Sequence, residues 1–351
     1  MSQSIVKGVR ITHISSAVPK EVLSNKDYEW ITEEERNFLI KNTGVEQRRF
    51  AGKSICTSDM CVAAAMEMFK QYPETFDEID LIVFVTQSPD YVVPATSMLI
   101  QHRLGLPKNV AAFDVNLGCS GYVYGLNIVA SMLQNGGFRK ALLLAGDRTT
   151  DSQNYRDKTS YPIFGDAGTV TLLEFTGNTN DVFYFDLHSD GSRYDAIHIP
   201  HGGTRIPFST LSEIEEEYEP GIIRSKRNLH MDGMGVFNFS LDEPPKSAMA
   251  AAQMAGLTPP DFDWVVLHQA NKLINDTIRK KLKVLPEKCP STLAEFGNTS
   301  SASIPITLTQ RIAHQNRING NMLLAGFGVG LSWGSCVHRF DNVKTTNLIE
   351  L

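Results

Sequence analysis

At 351 residues the chain is long enough for two compact units of ordinary domain size or one large duplicated one, and 42% hydrophobic with 21% charged residues is the composition of a globular protein. A net charge of -6 and a pI near 5.9 argue against a nucleic-acid-binding surface; the first seven residues lack a signal-peptide pattern and no apolar run nears the roughly 18 residues of a membrane helix, so a cytoplasmic protein without membrane insertion is expected. Five cysteines at irregular spacing (Cys56, Cys61, Cys119, Cys289, Cys336) fit reduced thiols better than a disulfide framework, and no zinc-ligand spacing is present, so no metal is expected.

In chain order, the first clear helix covers 60–68, with a cap at Thr57, Ser58 or Asp59. Asp77-Glu78-Ile79-Asp80-Leu81-Ile82-Val83-Phe84-Val85 follows as a continuous apolar run, the pattern of a strand buried on both faces. A strand ending at Val115 gives way, across Asn116-Leu117-Gly118-Cys119-Ser120-Gly121, to a helix over 122–133 that Asn135-Gly136-Gly137 stops. Ala141-Leu142-Leu143-Leu144-Ala145-Gly146 is a further buried strand. Residues 191–228 are irregular and hold the acidic run Glu213-Ile214-Glu215-Glu216-Glu217-Tyr218-Glu219, followed by Arg224, Lys226 and Arg227. A solvated surface loop is the plain reading; a lid or partner contact stays open.

Beyond that region the chain repeats itself. Pro260-Asp261-Phe262-Asp263-Trp264-Val265-Val266-Leu267-His268 reads like the run at 77–85, and Asn321-Met322-Leu323-Leu324-Ala325-Gly326 reads like 141–146, at nearly the same offset. The expectation is an α/β fold of two duplicated halves, 1–176 and 177–351, each alternating strands and helices. In this alignment the Cys119 turn falls within a residue or so of Asn298, so groups from both halves would meet at a pseudo-symmetric junction.

Cys119 sits where a strand meets a helix N-terminus, and the unpaired N–H groups and positive dipole end there favour a thiolate. A small buried thiol is the alternative for any single cysteine. His268, in Leu267-His268-Gln269-Ala270-Asn271, and Asn298, in Phe296-Gly297-Asn298-Thr299-Ser300-Ser301, each stand at an element boundary of their own. The remaining cysteines and histidines lack such settings and are read as structural.

These segments, with Phe164-Gly165-Asp166-Ala167, Asn42-Thr43-Gly44-Val45 and the Gly-rich Gly326-Phe327-Gly328-Val329-Gly330-Leu331-Ser332-Trp333-Gly334, resemble the β-ketoacyl-acyl-carrier-protein synthase III family of condensing enzymes, within the thiolase superfamily. The resemblance runs nearly end to end. It implies a thiolase-like fold in a layered αβαβα arrangement, a homodimer, and decarboxylative Claisen condensation of an acyl thioester primer with a malonyl carrier protein, in fatty acid or related lipid or polyketide biosynthesis. Cys119 would carry the acyl group, His268 and Asn298 would serve decarboxylation and condensation, and the backbone N–H groups of Cys119 and Val329 would form the oxyanion hole. No cofactor is implied beyond the coenzyme A or carrier-protein phosphopantetheine that bears the substrates. An acyltransferase of the same fold, passing the Cys-bound acyl group to an amine or hydroxyl, is the alternative.

The resemblance also implies binding residues, some altered. Phe327 and Asn271 belong to the substrate site. Phe38, Asn42 and Lys158 stand where coenzyme A-using relatives have a Trp and two Arg; Asn42 lacks the planar fork of Arg, which weakens the case for nucleotide recognition. Val93 stands where acetyl-using relatives carry a pocket-shortening Phe across the dimer interface, which implies a longer primer unless Val93 packs a core. Lys272, Arg279, Lys280 and Lys281, with Lys283 beyond them, offer a basic surface for an acidic carrier protein or an ordinary solvated helix face.

Overall fold

The computed structural model describes residues 2–351. The chain opens with β1 (Gln3–Lys7) and β2 (Val9–Val18); the short β3 (Val22–Ser24) and β4 (Gln47–Arg49) then flank α1 (Glu33–Thr43). Next come α2 (Thr57–Gln71), β5 (Ile79–Val85), α3 (Thr96–Arg103), β6 (Ala111–Val115), α4 (Gly121–Leu133), β7 (Lys140–Asp147) and β8 (Ala167–Phe175). The second half begins with β9 (Val182–Ser189), β10 (Ile197–His198), β11 (Glu216–Glu219), β12 (Ile222–Arg224) and β13 (His230–Met231). It continues through α5 (Gly233–Met254), β14 (Trp264–Leu267), α6 (Lys272–Lys281), α7 (Leu293–Phe296), α8 (Ser303–Thr307), β15 (Arg317–Gly328), β16 (Ser332–Thr345) and β17 (Ile349–Glu350).

The segments that read alike in sequence hold equivalent places. β5 pairs parallel with β7, Leu81 opposite Ala141, and β14 pairs parallel with β15, Trp264 opposite Met322. β8 runs antiparallel between β7 and β2 as β16 runs antiparallel between β15 and β9. The two sets join through a short parallel contact of β16 with β2, Lys344 beside His13.

The layers follow from the period of two along each strand. Leu81, Val83 and Val85 of β5 and Met322 and Leu324 of β15 face a common core with α4 and α8. Ile82 and Phe84 face the opposite way, onto α2 and α3, and Leu323 and Ala325 face α5 and α6. Helices therefore cover both outer faces and fill the space between the two joined sets of strands, an αβαβα order. Continuous apolar runs are needed because both faces of each central strand are buried, each Val, Leu or Ile contributing about 1.5–3 kcal/mol.

Two boundaries move. α2 begins at Thr57, not Met60, with Cys56 as its cap; the Asp59 carboxylate turns back to accept from the Cys56 N–H at 2.7 Å, so Asp59 closes the first turn rather than opening the helix. The acidic run is no irregular loop, because Glu216–Glu219 is the outer strand of a hairpin with β12. It is exposed, and Lys226–Glu216 (3.3 Å) and Arg227–Glu213 (2.9 Å) offset part of its charge.

Candidate active site

Cys119 lies in the turn between β6 and α4, held by the Gly121 N–H donating to the Gly118 carbonyl (2.7 Å). The turn is too crowded for other residues: a Cβ on Gly118 would stand 2.3 Å from Gln87 Oε1, and one on Gly328 would stand 2.6 Å from Cys119 Cβ. This close approach places the β15–β16 turn against the cysteine, where hydrogen bonding from the Val329 and Cys119 backbone and the Ser300 side chain works to lower the thiol. The expected thiolate is not what the site favours. Burial, with the Asp147 carboxylate adding to it, pushes the thiol up to about 12, and the three hydrogen bonds only partly oppose this. The helix N-terminus is present, but the groups acting on the thiol include no cation among the described residues.

His268 ends β14, its N–H on the Ala325 carbonyl (2.8 Å). The ring is 1% exposed, contacts the Ser303 hydroxyl through Nδ1 at 2.8 Å and meets Phe327 edge-on at 5.5 Å. Burial lowers it from 6.5 to about 3, with a Ser300 backbone hydrogen bond opposing, so the imidazole is neutral. Asn298 follows Gly297, whose φ of 64° is one that glycine adopts without strain and whose Cβ would stand 2.5 Å from the Ile163 carbonyl. Backbone bonds to Ile163 (2.9 Å) and Gly165 (3.0 Å) fix it against the Phe164 segment, and its Oδ1 accepts from the Ser300 N–H at 2.9 Å. Among the described residues no acceptor takes its Nδ2–H groups, which leaves them for a ligand.

All three residues line one cavity of about 470 Å³, which Asn271, Phe327 and Val329 also line. Asn271 has a second duty as the α6 cap, accepting from the Ile274 N–H at 2.9 Å. No group of three or more His, Cys, Asp or Glu side chains among the described residues is arranged to hold a metal.

Known proteins are similar to this one over nearly the whole chain. A family described as 3-oxoacyl-[acyl-carrier-protein (ACP)] synthase III matches residues 113–191, and its C-terminal counterpart matches 252–340. A β-ketoacyl-[acyl-carrier-protein] synthase III of Chlamydia caviae is 33% identical over 339 residues, covering 95% of this chain and 98% of its own. The chain belongs to the synthase III family. Among solved structures, a 3-oxoacyl-(acyl-carrier protein) synthase from Burkholderia xenovorans LB400 superposes with a TM-score of 0.92 at 31% identity, covering 99% of both chains. The priming β-ketosynthase of the R1128 polyketide pathway gives 0.83 at 27%, covering 96% of this chain and 98% of that one.

Against this synthase III background, four binding positions read from sequence stand away from the cavity. Phe38 is 71% exposed on α1, and Asn42 spends its amide on the Phe38 carbonyl one turn back (2.8 Å). Lys158 is tied to Glu35 (3.1 Å) and covered by the Gly221 turn of the acidic hairpin. Val93 is 80% exposed, which overturns its reading as a core residue within one chain.

The basic flank of α6 is smaller than its spacing implied. Lys272 and Lys280 are exposed, but Arg279 turns back to the Val284 carbonyl (2.9 Å) and Asp276 (3.6 Å) with 15% of its side chain exposed. Lys281 reaches the Leu241 carbonyl of α5 (2.6 Å), and Lys283 lies past the helix end. Helical spacing places side chains on a face; it does not say which will fold back onto carbonyls beyond the C-terminus.

Among the cavity residues that were missed, two stand nearest the cysteine turn and the junction of the halves. Asp147, 1% exposed, closes β7 and bridges the halves, accepting from the Gln87 N–H (2.6 Å) and the Ser301 hydroxyl (3.0 Å); burial raises its carboxyl. Gln87 lays its carboxamide against Gly118. The available signal was a polar residue directly after a buried run: Asp147 after 141–146 and Gln87 after 79–86.

Proposed function

We propose that the chain condenses an acyl thioester primer with a malonyl carrier protein through an acyl-cysteine on Cys119, releasing carbon dioxide and a β-ketoacyl thioester. The observation that carries this reading is the convergence of Cys119, His268 and Asn298 on one cavity, which Val329 also lines with Gly328 packed on the cysteine. In the first half-reaction the Cys119 sulfur bonds to the thioester carbon, the tetrahedral oxygen accepts from those two N–H groups, and the proton of the thiol leaves on the departing carrier sulfur. In the second, the malonyl group loses carbon dioxide and its electron pair becomes an enolate. In this reading the Ser303 hydroxyl, 2.8 Å from His268 Nδ1, serves as donor and the ring proton sits on Nε2, so a neutral imidazole and the Asn298 amide both donate to the enolate oxygen without introducing a titrating charge. The enolate carbon attacks the acyl-cysteine, and the cysteine sulfur leaves and is reprotonated.

In this reading the protein is an acyltransferase of the cytoplasm, acts as a homodimer and meets an acyl-carrier protein. The apolar exposed run of Tyr91, Val92 and Val93 with Met98 suits contact with a second copy, where Val93 would border the partner's acyl pocket. Lys272 and Lys280 are the carrier-facing cations. The primer comes on coenzyme A or on carrier-protein phosphopantetheine; the Lys158–Glu35 pair and the engaged Asn42 amide favour the carrier.

Intact-protein mass spectrometry tests the reading. Wild type and Cys119→Ala are incubated with acyl-coenzyme A and acyl-carrier thioesters, then with malonyl carrier protein. An adduct on wild type alone, discharged with a β-ketoacyl product, is expected; an adduct that only an amine or alcohol discharges would overturn condensation in favour of acyl transfer.

A further inference from the structure

The cavity around Cys119 has two unlike ends. Toward α5 and α6 it is bounded by Val236, Ile274 and Phe327. Toward the start of α2 and the loops after β5 and β7 polar side chains gather, among them Gln87, Asp90 and Gln153, with Pro89 and Leu229 beside them. A hydrocarbon chain in such an end would remove polar groups from water and return no hydrogen bonds, which disfavours it.

Gln87 is the decisive group. Its Oε1 lies so close to Gly118 that a Cβ there would come within 2.3 Å of it, which places a carboxamide one residue from the nucleophile. Only its backbone N–H is engaged, by Asp147 (2.6 Å), and among the described residues its side chain has no hydrogen-bond partner. Two more acceptors in this wall, Asp90 Oδ1 and Gln153 Oε1, are also without one. The charge narrows the choice further. Arg148, the cation in this wall, is held by Asp151 at 2.9 Å, while Asp90 and Asp147 also border the space. A carboxylate on the primer would be repelled there, whereas a neutral hydroxyl can both donate to and accept from a carboxamide.

We propose that the primer is an acyl thioester bearing a hydroxyl within two or three carbons of the carbonyl, and that Gln87 is the residue that selects it. The distance follows from adjacency, since neighbouring Cα atoms are about 3.8 Å apart and Gln87 packs on the residue next to Cys119. The proposal rests on the acyl-cysteine reading above.

The test measures the rate of Cys119 acylation by N-acetylcysteamine thioesters, which need neither coenzyme A nor carrier recognition. Butyryl, both enantiomers of 3-hydroxybutyryl, and 3-aminobutyryl are compared on wild type, Gln87→Met and Gln153→Met. One enantiomer of 3-hydroxybutyryl is expected to react about 10–100-fold faster than butyryl, because a site built to hydrogen-bond a substrate hydroxyl discriminates strongly against its absence. Gln87→Met should bring that ratio to within about twofold of unity, and Gln153→Met should lower it less. Equal or faster reaction of butyryl, with the adduct still discharged by malonyl carrier protein, would overturn the hydroxyl proposal while condensation stands; faster 3-aminobutyryl would overturn it in favour of an ammonium. An unchanged ratio in Gln87→Met would remove Gln87 from the role. Failure of every thioester to acylate Cys119 would remove the acyl-cysteine reading and this proposal with it.

Discussion

The segments after β6 and before α8 show what duplication kept and what it changed. After β6 the chain turns once and enters α4, a regular helix of 13 residues, so Cys119 stands at an intact helix start. Around the corresponding place in the second half, the five-residue α8 continues as a π-helical turn over Leu308–Ile312. Its lead-in carries Gly297 at φ 64° and Ser300 at φ 51°. A non-glycine residue there costs on the order of 1–3 kcal/mol, held by surrounding contacts. One scaffold therefore supplies a thiol through a regular element and, through an irregular one, a carboxamide whose Nδ2–H groups have no acceptor among the described residues. Chemistry that needs two different groups in one cavity is obtained by letting one copy of a turn depart from the other.

Removing the group supplied by the regular turn should have the largest effect. Cys119→Ala is expected to lower condensation by on the order of 10⁴-fold or more and to abolish the acyl adduct, measured by product formation and intact mass. Replacing the irregular turn's group sharpens the contrast. Asn298→Ala should cut condensation about 10²–10³-fold while acylation of Cys119 falls far less, read by comparing single-turnover acylation with steady-state product. If both steps fell equally, the division of labour between the halves would be wrong.

A third test uses the burial that both halves share. Burial lowers His268 to about 3 and His338 to about 4 from 6.5. The unfolded chain binds both protons below pH 6.5 while the folded chain does not, so stability is full above that pH and is lost as pH falls toward the folded values. At pH 5 the loss is about 2 kcal/mol for each ring, checked by urea midpoints between pH 7.5 and 5. For Cys119 the displacement is upward, so its reaction with iodoacetamide should keep rising from pH 7 to 10 without a plateau. The smallest effect concerns the surface. Lys272→Glu with Lys280→Glu should raise the KM for the carrier several-fold and leave reaction with N-acetylcysteamine thioesters alone, whereas Lys281→Glu, on the α5 side of the helix, should do less.

The long buried strands were legible because both faces of β5, β7, β14 and β15 demand apolar residues, leaving runs that no surface segment imitates. The internal repeat was legible for the same reason. Cys119, His268 and Asn298 could be picked out by the motifs around them. The binding residues were less so, because exposure depends on neighbours remote in sequence: Lys158 is neutralised by Glu35, 123 positions away, and Arg279 folds onto a carbonyl beyond its helix.

By itself the amino-acid sequence determined the layered fold and picked out three side chains that meet in one cavity, since local periodicity and short motifs encode both. Only the tertiary structure decided their state. Whether a cysteine at a helix start is thiol or thiolate depends on how completely the other half encloses it, and whether a glutamine after a strand touches a substrate depends on the glycine it packs against. Desolvation and close approach are sums over residues brought together by folding, and neither can be read from order along the chain.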